Sequence, residues 1–182
     1  GEPMWPLDRI DPFGLREPRR TKPLLMAVKG ITYTLGIELM LAADVVVAAD
    51  DCRFSQLEVK RGILATGGAT IRMAERAGMG NALLYLLTGD EFDAATALRL
   101  GFVQKVVPAG SEFDEAMAIA ARDGDPMTLA LASNKHAIFR DGEGDLAGAR
   151  RGFMAALDYA RKAGAKAEEA GYLANLADSF LK

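Results

Sequence analysis

Two unbroken apolar runs, Leu24 to Val28 and Val45 to Ala49, most restrict what this chain can fold into. Each has the length of a strand, and neither alternates polar with apolar residues, so both are expected to be buried on two faces. Gly30 ends the first run, and the segment between them, Gly36 to Ala43, has the composition of a helix. A second cycle follows. Ala69 to Leu87 reads as two helices meeting at the Gly78-Met79-Gly80 break, and Asp93 to Leu100 as a short capped helix ending at Gly101. Phe102 to Val107 then reads as another buried strand, stopped by Pro108. Strand, helix, strand, helix in this order predicts an α/β fold with a mostly parallel sheet and crossover helices.

The flanks differ. Five of the seven prolines (Pro3, Pro6, Pro12, Pro18, Pro23) lie in the first 23 residues among Asp, Arg and Glu, which forbids a regular element and predicts an irregular arm. After Pro108 the pattern is helical. Phe113, Ala116, Met117 and Ala120 share one face, as do Leu146, Ala149, Phe153, Leu157 and Ala160, and again Leu173, Leu176 and Phe180. The organisation expected is therefore an arm (1–23), an α/β core (24–108) and a helical region (109–182). Apolar stripes of this extent on a short body predict a subunit interface.

At 182 residues, half of them hydrophobic, the chain can bury one real core. A net charge of −3 gives no bulk attraction to nucleic acid or anionic lipid, so an anionic ligand must be held locally. Glu38 and Asp44 interrupt the longest apolar stretch, Leu35 to Ala49, which excludes a membrane span there. No leader is visible ahead of Gly1, and the start without methionine reads as a fragment or processed chain. The single cysteine, Cys52, fits a reducing compartment and reads as a half-buried filler at a strand edge. His136, alone in a helical stretch without a nucleophile nearby, reads as a surface or interface residue.

The candidate chemistry lies in two glutamates. Glu38 follows Leu35-Gly36 at a strand-to-helix turn, where free backbone N–H groups can meet a developing oxyanion. Glu58 closes the strand-like Arg53-Phe54-Ser55-Gln56-Leu57. Two carboxylates around one water would push their pKa values apart, so that one takes a proton from water and the other gives one to carbon. Read singly, each is an ordinary helix-turn or ion-paired surface residue. Gly62-x-x-x-x-Gly67-Gly68 is not a phosphate loop, since the lysine position holds Gly68. Gly78-Met79-Gly80 lacks the third glycine of a dinucleotide fingerprint. Arg16, Arg19, Arg20 and Lys22 could meet a nucleotide phosphate, but read more simply as a solvated charged arm.

Taken in order, Lys22-Pro23, the Leu35-Gly36 turn, Glu38, Ala43-Asp44, Glu58, Gly67-Gly68, Leu87-Thr88-Gly89-Asp90 and the Val106-Val107-Pro108 block resemble the crotonase superfamily of enoyl-CoA hydratases and isomerases, from about 22 to about 108 and more weakly to about 142. The resemblance implies a partial ββα spiral with a helical carboxyl-terminal region that trimerises, lacking a counterpart of the family's amino-terminal half. It implies syn addition of water to a 2-enoyl-CoA thioester, with Glu38 and Glu58 as the acid–base pair. Leu35 would provide one of two oxyanion amides, with Gly36 beside it. The other would come from the missing half. Substrate would carry coenzyme A, with no separate cofactor and no metal, and the enzyme would be a cytoplasmic homo-oligomer, trimer or hexamer. The alternatives are an enoyl-CoA isomerase, which needs one carboxylate, and a silent module binding acyl-CoA or protein. Where the family usually has a run of glycines, Thr34-Leu35-Gly36 must build the turn with bulkier residues.

Overall fold

A computed structural model describes residues 10–122 and 124–181, so the first part of the expected arm lies outside the described residues. From 10 to 23 the chain forms no helix or strand. Two compact units follow from the packing, Gly1–Ala116 and Met117–Lys182.

The first unit runs β1 (Leu25–Val28), β2 (Ile31–Tyr33), α1 (Leu35–Ala42), β3 (Val45–Ala49), β4 (Arg53–Ser55), a 3-10 turn (Leu57–Arg61), α2 (Ala69–Ala77), α3 (Met79–Thr88), β5 (Phe92–Asp93), α4 (Ala94–Arg99) and β6 (Lys105–Val107), and α5 (Glu112–Ala120) begins in it. Two three-stranded sheets result. The first is parallel throughout, in the order β1-β3-β6, with Met26 opposite Val46 and Ala48 opposite Val106. In the second, β2 is parallel to β4 and β4 antiparallel to β5. Each strand pair, β1 with β2 and β3 with β4, steps from one sheet to the other before the chain enters a helix or turn. That repeated strand-strand-helix plan is the expected spiral.

Burial follows position in the sheet. Val46 to Ala49 in the central β3 have no exposed surface, whereas Leu25 to Ala27 in β1, at the sheet edge, are half-buried rather than covered on both faces. The strand expected from Phe102 begins only at Lys105. Phe102 and Val103 are buried, but the Gln104 side chain takes the Val46 N–H at 2.9 Å, a bond that a ladder partner would otherwise take. The second sheet was not legible as a sheet, because strands of two and three residues carry no measurable period. Its anchor is aromatic. Phe92 lies 5.4 Å from Phe54, 4.5 Å from Tyr85 and 5.7 Å from Phe102, ring centroid to ring centroid.

The second unit holds α6 (Pro126–Gly142), α7 (Leu146–Ala163) and α8 (Lys166–Asp178). Asp125 and Asp145 cap α6 and α7 by accepting the Thr128 and Gly148 N–H groups, both at 2.9 Å. Gly152 lets α6 and α7 approach, since a Cβ there would fall 2.8 Å from the Ala137 Cβ. The α7 stripe is buried as expected at Ala149, Phe153, Leu157 and Ala160. In α8 the face is turned: Tyr172 and Leu176 enter the core, while Leu173 and, just past the helix end, Phe180 stay exposed. Asn175, donating to Asn134 at 3.0 Å, sets that rotation.

Phe92 packs against three rings around the second sheet, so Phe92→Ala is expected to cost about 3–5 kcal/mol of stability. Urea unfolding followed by circular dichroism checks this. A loss below about 1 kcal/mol would show that the sheet does not depend on the aromatic cluster.

Candidate active site

Helix α1 reads Leu35-Gly36-Ile37-Glu38-Leu39-Met40-Leu41-Ala42, apolar nearly all round, and such a helix is buried nearly all round. Its one acid is carried inside with it. Glu38 is 3% exposed, and a carboxylate so placed needs donors. They come from the start of α2, where the first amides have no partner within the helix. Glu38 Oε1 accepts the Gly67 N–H at 2.6 Å and the Ala69 N–H at 3.3 Å. Glycine is required for the shorter contact, because a Cβ on residue 67 would fall 2.6 Å from Glu38 Oε2.

Glu58 sits in the 3-10 turn that follows β4, ended by Gly62 in the left-handed region at φ 66°. Burial pushes its carboxyl above the ordinary value of 4.5, against a hydrogen bond from its own backbone, and the Glu38 charge pushes it further up. The Glu38 charge therefore reaches Glu58. Glu58 Oε2 is enclosed without a hydrogen-bond partner, and so are both amide atoms of the Gln56 side chain. Gln56 carries no signal of its own in the sequence; only its place two residues before Glu58 points to it.

The turn before α1 is strained. Thr34 has φ 47° and ψ −109°, a conformation that glycine adopts freely and a β-branched residue does not. It is held there by its N–H on the Ser55 carbonyl at 2.9 Å, and its own carbonyl accepts the Glu38 N–H at 3.1 Å. The bulky turn expected in place of glycines is thus built at a cost of about 1–3 kcal/mol. Leu35 and Gly36 are the first two residues of α1, so their amides have no carbonyl partner inside the helix and leave its amino end. A Cβ on Gly36 would press on Thr32 Cγ2 at 3.1 Å. The structure thus gathers Glu38, Glu58 and the Leu35-Gly36 turn within the first unit.

The remaining candidates fall elsewhere. His136 is half-buried in α6. Cys52 is 1% exposed, a core residue rather than a half-buried one, its thiol donating to the Val28 carbonyl at 3.3 Å. Burial pushes that thiol up to about 11, which leaves it unreactive at neutral pH. In the arm, Arg19 pairs with Glu17 at 3.0 Å and Arg16 lies 3.8 Å from Asp11. Arg20 donates to the Ala42 carbonyl at 2.7 Å and pairs with Asp44 at 3.1 Å. Together with Arg76, which donates to the Leu41 and Ala43 carbonyls at 3.0 and 2.8 Å, it satisfies the carboxyl end of α1. Arg19, Arg20, Lys22, Arg72 and Arg76 line a groove of about 540 Å³ there, at the end of α1 away from Leu35. Among the described residues no group of His, Cys, Asp and Glu is arranged to hold a metal ion.

The fold is an α/β spiral of repeated strand-strand-helix units that holds a buried carboxylate, Glu38, a half-buried one, Glu58, and a helix-start turn in the same unit. The enoyl-CoA hydratase/isomerase family matches residues 18–172, and the chain belongs to that family, within the crotonase superfamily. It is 37% identical over 124 residues to a probable enoyl-CoA hydratase of Mycobacterium bovis, covering 68% of this chain and 48% of that protein. It is 34% identical over 117 residues to the 2,3-dehydroadipyl-CoA hydratase of Escherichia coli, covering 64% and 46%. Among solved structures, a probable enoyl-CoA hydratase/isomerase of Mycobacterium abscessus matches with 43% identity and a TM-score of 0.65, over 87% of this chain and 61% of that one. The chain spans about half the length of the curated relatives it matches.

Raised by burial, the Glu58 carboxyl favours its neutral form in the folded state, so the charge it carries at neutral pH is a penalty on folding. At low pH both folded and unfolded chains hold the neutral acid and the penalty vanishes. It grows as pH rises from the ordinary carboxylate value to the raised one. Glu58→Gln is therefore expected to be more stable than the parent at neutral pH, with the gain shrinking below about pH 4. Chemical denaturation at both pH values measures it, and a gain independent of pH would contradict the shift.

Proposed function

We propose that the chain carries the catalytic pair of an enoyl-CoA hydratase, adding water syn across the double bond of a 2-enoyl-CoA thioester. The observation that supports this most is the contrast between the two carboxylates. Glu38 receives two backbone N–H bonds, which only an acceptor oxygen can take, and suits the member that removes a proton from water. Glu58, pushed toward its neutral form, suits the member that donates. As the water oxygen bonds the β-carbon, Glu38 takes one of its protons and Glu58 gives its own to the α-carbon. Proton return from Glu38 to Glu58 then resets the pair. The Leu35 and Gly36 amides face the thioester oxygen as it gains charge. Isomerisation would need one carboxylate, and the two unlike settings favour hydration. The reaction as written draws on no metal and no cofactor beyond the coenzyme A of the substrate.

The same reading makes the protein a cytoplasmic homo-oligomer, a trimer or hexamer. Among the described residues no helix is long and apolar enough to cross a membrane, and the free thiol of Cys52 fits a reducing compartment. Leu131, Ile138, Phe139, Met154 and Leu173 of the second unit are each at least 45% exposed, apolar surface that a partner subunit would cover.

Resemblance assigns a second oxyanion amide to the family's amino-terminal half, and one such donor is worth about 10²–10³ in rate. The test therefore uses the chain extended by a segment supplying that donor. Hydration of a short 2-enoyl-CoA, followed by loss of the conjugated thioester absorbance, should fall about 10²-fold or more in Glu38→Gln and in Glu58→Gln, with circular dichroism unchanged. Parent-like rates in both variants would remove the pair from the mechanism. Light scattering should give a trimer or a multiple of it, and a monomer that persists at micromolar concentration would remove the oligomer.

A further inference from the structure

The Gly67 peptide carries load on both sides. Its N–H donates to Glu38 Oε1 at 2.6 Å, while its carbonyl accepts from Arg72 Nη1 at 3.1 Å. The other terminal nitrogen of Arg72, Nη2, donates to the Phe13 carbonyl at 2.5 Å. One guanidinium thus joins the turn before α2 to the arm. Its rigid fork suits this, since two donors in a fixed plane hold two carbonyls at a fixed separation.

The arm is built to be held. Asp11, 5% exposed, accepts the Phe13 N–H on Oδ1 at 3.0 Å and the Leu15 N–H on Oδ2 at 3.1 Å, and its carbonyl accepts the Gly14 N–H at 2.9 Å. That is an Asx turn closed three times over. Phe13 is buried at 4% exposure, so the turn is anchored by its own ring as well as by its hydrogen bonds. Leu15 also reaches the same place: a Cβ on Gly68 would fall 3.2 Å from Leu15 Cδ2 and 2.7 Å from Arg72 Nη1. A stretch that the sequence offered only as part of an irregular arm is therefore packed against the residues that hold Glu38.

We propose that the Asp11–Leu15 turn and Arg72 form a clamp that fixes the Gly67 peptide and so orients the Glu38 carboxylate. Arg72 is a positioning residue: it touches no reacting atom and acts through Gly67. Without it, the Gly67-Gly68 turn keeps its two glycines' freedom and the short bond to Glu38 loosens. The clamp rests on the hydratase reading for its purpose, but its geometry can be tested without turnover.

The reporter is the Gly67 amide in ¹⁵N-labelled protein. Glu38→Gln, which replaces a charged acceptor by a neutral one, should move the Gly67 proton upfield and establishes the signal. Arg72→Met is then expected to move it the same way and to raise its hydrogen exchange about tenfold or more, with the amide of Ala48 in β3 unaffected. Arg72→Lys, which can hold one carbonyl at a time, should fall between. A folded Arg72→Met protein whose Gly67 amide keeps its shift and protection would overturn the clamp. Where Arg72→Met fails to fold, Asp11→Ala puts the same question from the arm, and an unchanged Gly67 amide there overturns it equally. Loss of hydratase activity from the proposal would leave this result standing, and an unclamped Gly67 would leave the hydratase reading standing.

Discussion

A buried carboxylate answered by two backbone amides organises this fold. Glu38 is carried inside because α1 is apolar on every side, and the helix could not be buried unless something met that charge. An uncompensated carboxylate in the interior costs several kcal/mol, a large share of the about 5–15 kcal/mol by which a domain is stable. The amino end of α2 supplies the answer through Gly67 and Ala69. Its position then fixes other things: the two glycines before it, the Arg72 side chain behind it, and the turn of the arm that Arg72 grips.

Strain and orphaned polar atoms collect around the same place. Thr34 is the only non-glycine residue at positive φ among the described residues, and it stands at the start of α1. Of the side-chain atoms buried without a partner, Glu58 Oε2 and both amide atoms of Gln56 lie within three residues of chain. A fold that satisfied only its own stability would place a glycine at Thr34 and a partner on Glu58. These costs, concentrated in one turn and one 3-10 segment, are of the kind that sites for reacting molecules retain.

Much of the first sheet was legible because its strands are long enough, and apolar enough, for composition to speak. Val45 to Ala49 could hardly be anything but a central strand, and Asp93 with Thr96 three residues on is a readable cap. The second sheet was hidden because Ile31–Tyr33 and Phe92–Asp93 owe their pairing to tertiary contacts, not to pattern. In α8 the spacing of Leu173 and Leu176 is helical, but the helix ends before Phe180, and Tyr172 offers a larger apolar body one position away and takes the core. Phe180 found a different use, beneath the Arg150 guanidinium at 4.3 Å.

The site divides along the same line. As candidates, Glu38, Glu58 and the Leu35-Gly36 turn can be named from residue type, order and spacing, since those are what a family resemblance preserves. What the sequence hid was how the carboxylates are made unlike. Gly67-Gly68 stood out as glycines and failed the phosphate-loop test, but nothing local says that their backbone faces a side chain 29 residues earlier. Asp11 and Phe13 carried even less signal, lying among prolines and charges that argue for solvent. Chemistry in such a site is set by which backbone groups reach a carboxylate. Backbone donors leave no mark on the sequence except where, as at Gly67, they forbid a side chain.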